Sequence, residues 1–150
     1  MPIFRELKIN DLEECFKIWQ DLISHYEHPI GGEWTYSKMA DELNTHHGVG
    51  AFTDDGVIEA FCLYRKIGEI LEIMLLATKF REHRTGAMSG LIRSLIANLA
   101  AGEKIWLEVH AGNLPAVAIY ESLGFILTGE RPGYYTDGAK ALLFEYKPLQ

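Results

Sequence analysis

Three residues in the second half of the chain have the types and spacing needed to move protons. Glu108 stands near the end of Lys104 to Val109, whose apolar alternation reads as a strand. Asn113 is placed to cap a helix with Pro115 in its first turn, and Tyr120 lies two turns inside that helix. In an open α/β sheet, ligands bind beyond the carboxyl ends of the strands, where this carboxylate, amide and phenol would gather. A carboxylate and a phenol at one edge suit a base and an acid. Each residue also has an ordinary reading. Tyr120 shares a helix face with Ala116 and Leu123, as a core aromatic does. Glu108 can be a solvated strand-end carboxylate, and Asn113 a cap and nothing more. On pattern alone both readings stand.

A second group lies in Lys79-Phe80-Arg81-Glu82-His83-Arg84-Thr85-Gly86-Ala87. It brings basic side chains and a glycine to the start of a helix. Free N–H groups and the positive end of a helix dipole suit an anion such as a pyrophosphate. Gly86 would let the backbone approach it closely. The segment is neither a P-loop nor a dinucleotide fingerprint. A solvated basic loop is the plain alternative.

The elements that must position these groups follow from periodicity and punctuation. A short strand runs from Ile3 to Leu7. Asn10 then caps a helix, with Glu13 completing a capping box and Leu12, Cys15, Phe16, Trp19, Leu22 and Ile23 at helical spacing. After an irregular stretch, His25 to Thr35, comes a shorter helix, Tyr36 to Leu43. Val49–Thr53, Val57–Lys66 and Glu69–Ala77 form an antiparallel meander around Asp54-Asp55-Gly56 and Gly68. A helix from Arg84 to Ala101 ends at Gly102. Lys104–Val109, the helix ending at Gly124, and the strands Phe125–Thr128 and Ala141–Lys147 complete the chain.

The order β-α-α-β-β-β-α-β-α-β-β predicts one α/β (α+β) domain over residues 1–150. Its mixed central sheet has about seven strands flanked by about four helices. Glu69–Ala77 and Lys104–Val109 should be parallel neighbours, joined through a right-handed crossover.

Composition narrows the function classes. The 150 residues are 48% hydrophobic and 23% charged, which fits a globular fold. Fourteen Lys and Arg face twenty-one Asp and Glu, a net charge of −7, so a nucleic-acid backbone is a poor partner and a cation a better one. Cys15 and Cys62 form no CxxC, which argues against a disulfide framework or structural zinc, and the histidine spacings define no metal set. No apolar run reaches about 18 residues, the least a spanning helix needs. The N-terminus MPIFRELK has charges where a signal peptide needs an apolar core. The expectation is a soluble, cytoplasmic protein, a monomer or a homodimer.

Residues 107–135, LEVHAGNLPAVAIYESLGFILTGERPGYY, resemble the coenzyme-A-proximal half of the GNAT superfamily of N-acetyltransferases. They are most similar to the branch that includes the bacterial ribosomal-protein alanine N-acetyltransferases. The matching pieces are Leu107-Glu108-Val109, Asn113 with Ala116, Tyr120-Glu121-Ser122-Leu123-Gly124-Phe125, and Arg131-Pro132-Gly133-Tyr134-Tyr135. The resemblance implies a GNAT-like fold and acetyl transfer from acetyl-CoA to an amine, either a peptide N-terminus or a small molecule.

It also implies roles. The family's Q/R-x-x-G-x-G/A loop, whose amides hold the pyrophosphate, falls on His83-Arg84-Thr85-Gly86-Ala87-Met88, with Arg81 beside it. Gly86 matches the middle glycine, while His83 replaces the usual Gln or Arg and Met88 the second small residue. Met88 either shifts the helix start or points into the core. The backbone of Ile73, Met74 and Leu75 matches the strand that pairs with the pantetheine arm. Asn113 matches a cofactor contact, Glu108 the general base and Tyr120 the general acid. Trp34, Tyr134 and Tyr135 would line the acceptor cleft. A free thiol has a pKa of roughly 8.5 and a phenol roughly 10, so Tyr120 would stay protonated at neutral pH and donate as sulfur departs. The rival reading, kept open by His83 and Met88, is a non-catalytic module of the same fold that binds coenzyme A or a protein partner.

Overall fold

A computed structural model describes residues 2–25, 33–79 and 86–148. Its elements are β1 (Ile3–Glu6), a 3-10 turn (Ile9–Asp11), α1 (Leu12–Ser24), α2 (Tyr36–Thr45), β2 (His47–Phe52), β3 (Ile58–Ile67), β4 (Ile70–Thr78), α3 (Ala87–Ala97), β5 (Lys104–His110), α4 (Leu114–Ser122), β6 (Ile126–Arg131) and β7 (Ala141–Tyr146). The expected element order is observed. The seven strands form one sheet in the order β1-β2-β3-β4-β5-β7-β6. β4 and β5 pair parallel across α3, as expected, and the other neighbours pair antiparallel. No described helix is long and apolar enough to cross a membrane.

The sheet carries a core on each face. α3 and α4 cover one face, where Leu91, Ile92, Ala116 and Tyr120 meet Cys62, Ile73, Leu107, Val109 and Phe144. α1 and α2 cover the other, where Leu12, Cys15, Trp19, Leu22 and Met39 meet Phe61, Leu63, Leu75 and Ala77. α1 buries its residues at helical spacing, as the sequence pattern requires.

Three local expectations are corrected. Asn10 is not the cap of the first helix. Lys8 opens the turn ahead of it, and its N–H donates to Asp11 Oδ2 at 2.7 Å. Asp11 also accepts from Arg5 at 3.0 and 3.1 Å, so an anionic group with two partners displaces the neutral amide. α3 stops at Ala97 rather than Ala101. The Asn98 side chain donates to the Ser94 carbonyl at 2.8 Å, and Ala100 N–H donates to the Glu103 carboxylate at 2.7 Å. Gly102, at φ +83°, serves that second turn. The strand expected at Phe125–Thr128 begins at Ile126, because Phe125 N–H donates back to the Tyr120 carbonyl at 3.0 Å, and it runs to Arg131 because β7 pairs with it that far.

β4 holds a feature with no counterpart in the sequence reading. Leu63 pairs with Leu75 and Tyr64 with Ile73, so Met74 is an extra residue on β4. Side chains two apart on a regular strand share a face. Here Ile73 belongs to the α3/α4 core and Leu75 to the α1/α2 core. The bulge turns the strand by one register.

Candidate active site

The bulge lies where β4 leaves β5. Their pairing runs from Ile70↔Lys104 to Ile73↔Leu107, while β4 continues to Thr78 and β5 to His110. β5 stays paired with β7 through His110↔Ala141. The seam therefore opens on the β4 side, beginning at Met74. Expected cofactor-contacting residues Ile73, Met74 and Leu75 straddle that point.

Glu108 and Tyr120 lie on opposite faces of the sheet. On β5, Ile105, Leu107 and Val109 enter the α3/α4 core, so Trp106, Glu108 and His110 face the other way. Tyr120 lies in the α3/α4 core, 5% exposed, with ring centroids 5.6 Å from Phe125 and 6.1 Å from Phe144. Burial is the main reason its phenol titrates well above the usual range, with Cys62 and Tyr135 adding to the shift. The core reading and the proton-donor reading thus coexist, since a buried phenol keeps its proton.

On the Glu108 side is a cleft of about 490 Å³, lined by Trp34, Lys38, Glu72, Met74, Trp106, Glu108, Tyr134 and Tyr135 among others. The three expected acceptor residues, Trp34, Tyr134 and Tyr135, all reach it. Glu33, Glu72, Glu108 and Asp137 line it with Lys38, so the described lining is acidic. Thr35 caps α2 by accepting from Lys38 N–H at 3.1 Å, which places Trp34 at the mouth of the helix. Lys38 Nζ donates to the Glu33 carbonyl at 2.9 Å and lies 5.6 Å from the Trp34 ring centroid.

The β6–β7 loop brings the two tyrosines. His110 Nδ1 accepts from Gly112 N–H at 2.9 Å, so Nε2 carries the proton and donates to Asp137 Oδ2 at 2.7 Å. Asp137 Oδ1 accepts from Ala139 N–H at 2.9 Å. The His110 ring lies 4.8 Å from Tyr135, which meets Tyr134 edge-on at 5.1 Å. Burial first, then Glu108, pushes the Tyr135 phenol up to about 12. Tyr134 is raised chiefly by the Glu108 carboxylate, with burial and a hydrogen-bonding interaction with the same group adding. Arg131 Nε stands 3.0 Å from Glu108 Oε1.

The helix-start group is described from Gly86 onward; Arg81, His83, Arg84 and Thr85 lie outside the described residues. Gly86 precedes α3 at φ +81°, a conformation that suits glycine and halts the helix there. Of the two readings of Met88, the second is observed: α3 starts at Ala87, and Met88 packs against the core. Asn113 caps α4, with Oδ1 accepting from Ala116 N–H at 3.4 Å.

Sequence reasoning missed Trp106, Glu72, Lys38, Asp137 and Arg131. Trp106 was within reach, since it stands two residues before Glu108 on one strand and so shares its face. Arg131 lay inside a quoted motif with no role, because its partner is distant along the chain.

A cofactor with a long flexible arm and an anionic end fits these features. The opened β4–β5 seam offers backbone that β5 does not use, and the α3 start presents its first N–H groups beyond Gly86.

Comparison with known proteins points the same way. Residues 9–125 match the acetyltransferase (GNAT) family. The chain is 28% identical over 120 residues to the ribosomal protein bS18-alanine N-acetyltransferase of Escherichia coli, covering 77% of this chain and 81% of that one. The crystal structure of that ribosomal-protein-S18-alanine N-acetyltransferase superposes with a TM-score of 0.83 at 27% identity, over 97% of this chain and 92% of that one. A stretch of 47 residues is 47% identical to an N-alpha-acetyltransferase of Saccharolobus solfataricus, covering 31% of this chain and 28% of that one. The fold also matches yncA of Salmonella typhimurium, solved with its cofactor acetyl-CoA, with a TM-score of 0.79 at 14% identity over 100% and 95% of the two chains.

Proposed function

Because the chain belongs to the acetyltransferase (GNAT) family, whose members are acetyl-CoA-dependent N-acetyltransferases, we propose that it transfers acetyl to a primary amine by direct attack in a ternary complex, with Glu108 as general base and Tyr120 as general acid. The observation that carries this reading is their placement on opposite faces of the sheet, Glu108 in the cleft with Met74 and Tyr120 in the α3/α4 core with Ile73. A base on one side and an acid on the other suit a reaction in which the amine enters one face and the leaving group departs toward the other.

Acetyl-CoA, when bound, supplies an acetyl thioester whose carbonyl accepts the amine and whose sulfur leaves. The residues that would hold it are the backbone of Ile73, Met74 and Leu75, the α3 start at Gly86, Ala87 and Met88 with Arg81, His83, Arg84 and Thr85 before it, and Asn113 and Tyr120. Backbone amides of Ile73–Leu75 would orient the carbonyl and stabilise the charge that develops on its oxygen. Glu108 takes the proton that an ammonium must lose before its nitrogen has a lone pair to offer. Tyr120 keeps its hydroxyl proton at neutral pH and gives it to the departing sulfur. Trp34, Tyr134 and Tyr135 bind the acceptor among the carboxylates of the cleft, which favour a cation. The names of the relatives support a protein N-terminal alanine amine as the acceptor class.

The test has two parts. Acetyl-CoA at 100 times its Kd should add about 2.7 kcal/mol of stability, a rise of roughly 5–10 °C in Tm for a chain of this length. Free thiol release should then follow on adding alanine-starting peptides. Turnover of polyamines or aminoglycosides but not of these peptides would replace the acceptor class and leave the chemistry. No stabilisation at millimolar acetyl-CoA would contradict the reading.

A further inference from the structure

We infer that Arg131 is a specificity-determining residue of the acceptor site: its guanidinium occupies the cation position that an acceptor ammonium must take on Glu108, and the acceptor displaces it on binding. The inference rests on the amine-acceptor reading of the cleft and identifies what the amine competes with.

Three observations carry it. Arg131 Nε is 3.0 Å from Glu108 Oε1, the carboxylate assigned to receive the acceptor's proton. The Arg131 guanidinium carbon is 5.8 Å from the Tyr134 ring centroid, and Glu108 and Tyr134 both line the cleft. A carboxylate with an aromatic face beside it is the combination that receives an ammonium ion. Arg131 already uses that pair from the β6 side. Its side chain is 50% exposed and stands at the end of an edge strand, so it can swing into solvent without disturbing either core. A partly exposed ion pair is weak enough to exchange for an incoming cation.

The geometry has a chemical consequence. While Arg131 holds Glu108, the carboxylate is shared with a cation that cannot lose its proton. Only after exchange for an ammonium does Glu108 face a proton it can take. Arg131 therefore disfavours uncharged acceptors, which reach the cleft without a charge to trade. Lys38, the cation among the described residues that line the cleft, is engaged with the Glu33 carbonyl and the Trp34 ring. Glu72 is the further carboxylate acting on Tyr134, and so it adds to the attraction for an incoming cation.

The test uses the full chain with alaninamide as the probe and nitrogen-labelled arginine. The Arg131 Nε–H signal, identified by its loss in Arg131→Gln, should move to the position of a free arginine as alaninamide saturates the protein. Arg131→Gln should bind alaninamide about two- to fivefold more tightly, the size of a released surface ion pair. Its KM for the amine should fall, with the KM for acetyl-CoA unchanged. An Arg131 signal that stays put at saturation, or weaker binding by Arg131→Gln, overturns the inference. The wild-type titration stands even if the variant folds poorly. Displacement of Arg131 without any acetylation would uphold this inference and count against the catalytic reading, so the two can fail separately.

Discussion

Ile73 and Leu75 stand two residues apart on one strand and face opposite cores. Met74, the extra residue between them, reverses the phase of β4 at the point where its pairing with β5 ends. The bulge satisfies both cores and opens the seam on which the proposed chemistry depends.

Deleting Met74 tests that coupling. Without it, Ile73 and Leu75 become neighbours, and ordinary alternation sends them to the same two cores as before. The variant should fold and unfold cooperatively, with a Tm within several degrees of wild type. It should lose the stabilisation by acetyl-CoA, because the straightened strand closes toward β5. A deletion variant that keeps the full acetyl-CoA shift would show that the bulge does not form the site.

His110 and Asp137 tie the end of β5 to the loop that carries both tyrosines. Asp137→Asn or His110→Ala should loosen that loop without touching either core. The expected result is a severalfold rise in the KM for the amine with the KM for acetyl-CoA unchanged, read by steady-state kinetics with each substrate varied in turn. A change confined to the acetyl-CoA KM would place the loop elsewhere in the reaction.

Much of this site was legible in sequence because its parts are local. Alternation along Lys104–Val109 set Glu108 on a strand face, and an Asn before a Pro-containing helix set Asn113 and Tyr120. The bulge was silent for a physical reason. In EILEIMLLA, Glu72 marks the phase before the slip, but Leu75, Leu76 and Ala77 after it are all apolar, so no polar residue shows that the phase has changed. Asn10 and Asp11 are equally plausible caps by residue type, and only the fold brings Arg5 beside Asp11. The Arg131–Glu108 contact joins β6 to β5 across the intervening β7, and no local pattern connects the two.

The Arg5–Asp11 pair also sets a pH dependence. The hydrogen bond from Arg5 is the largest cause holding the Asp11 carboxyl below its usual range, with Lys8 N–H helping. Its folded pKa is depressed, so the stabilisation is full above the unfolded value near 3.8 and lost as pH falls through the folded value. Asp11→Asn should cost at most about 1 kcal/mol at pH 6–7, since Arg5 is largely in solvent. Thermal melts of the two proteins should converge as pH falls below the folded-state value of Asp11, which lies under 3.8. A gap that persists undiminished at low pH would show that the charge of Asp11 contributes little.

The central claim is that Tyr120 gives its proton to the departing sulfur, and Tyr120→Phe tests it most directly. Phenylalanine keeps the ring among Phe125 and Phe144 and removes only the hydroxyl. Acetyl-CoA should still raise the Tm of the variant, because the β4 backbone, the α3 start and Asn113 remain to hold it and one hydroxyl is lost, while kcat falls by about 10²–10⁴, the usual worth of a general acid. A variant that binds acetyl-CoA and turns over at the wild-type rate would contradict the account.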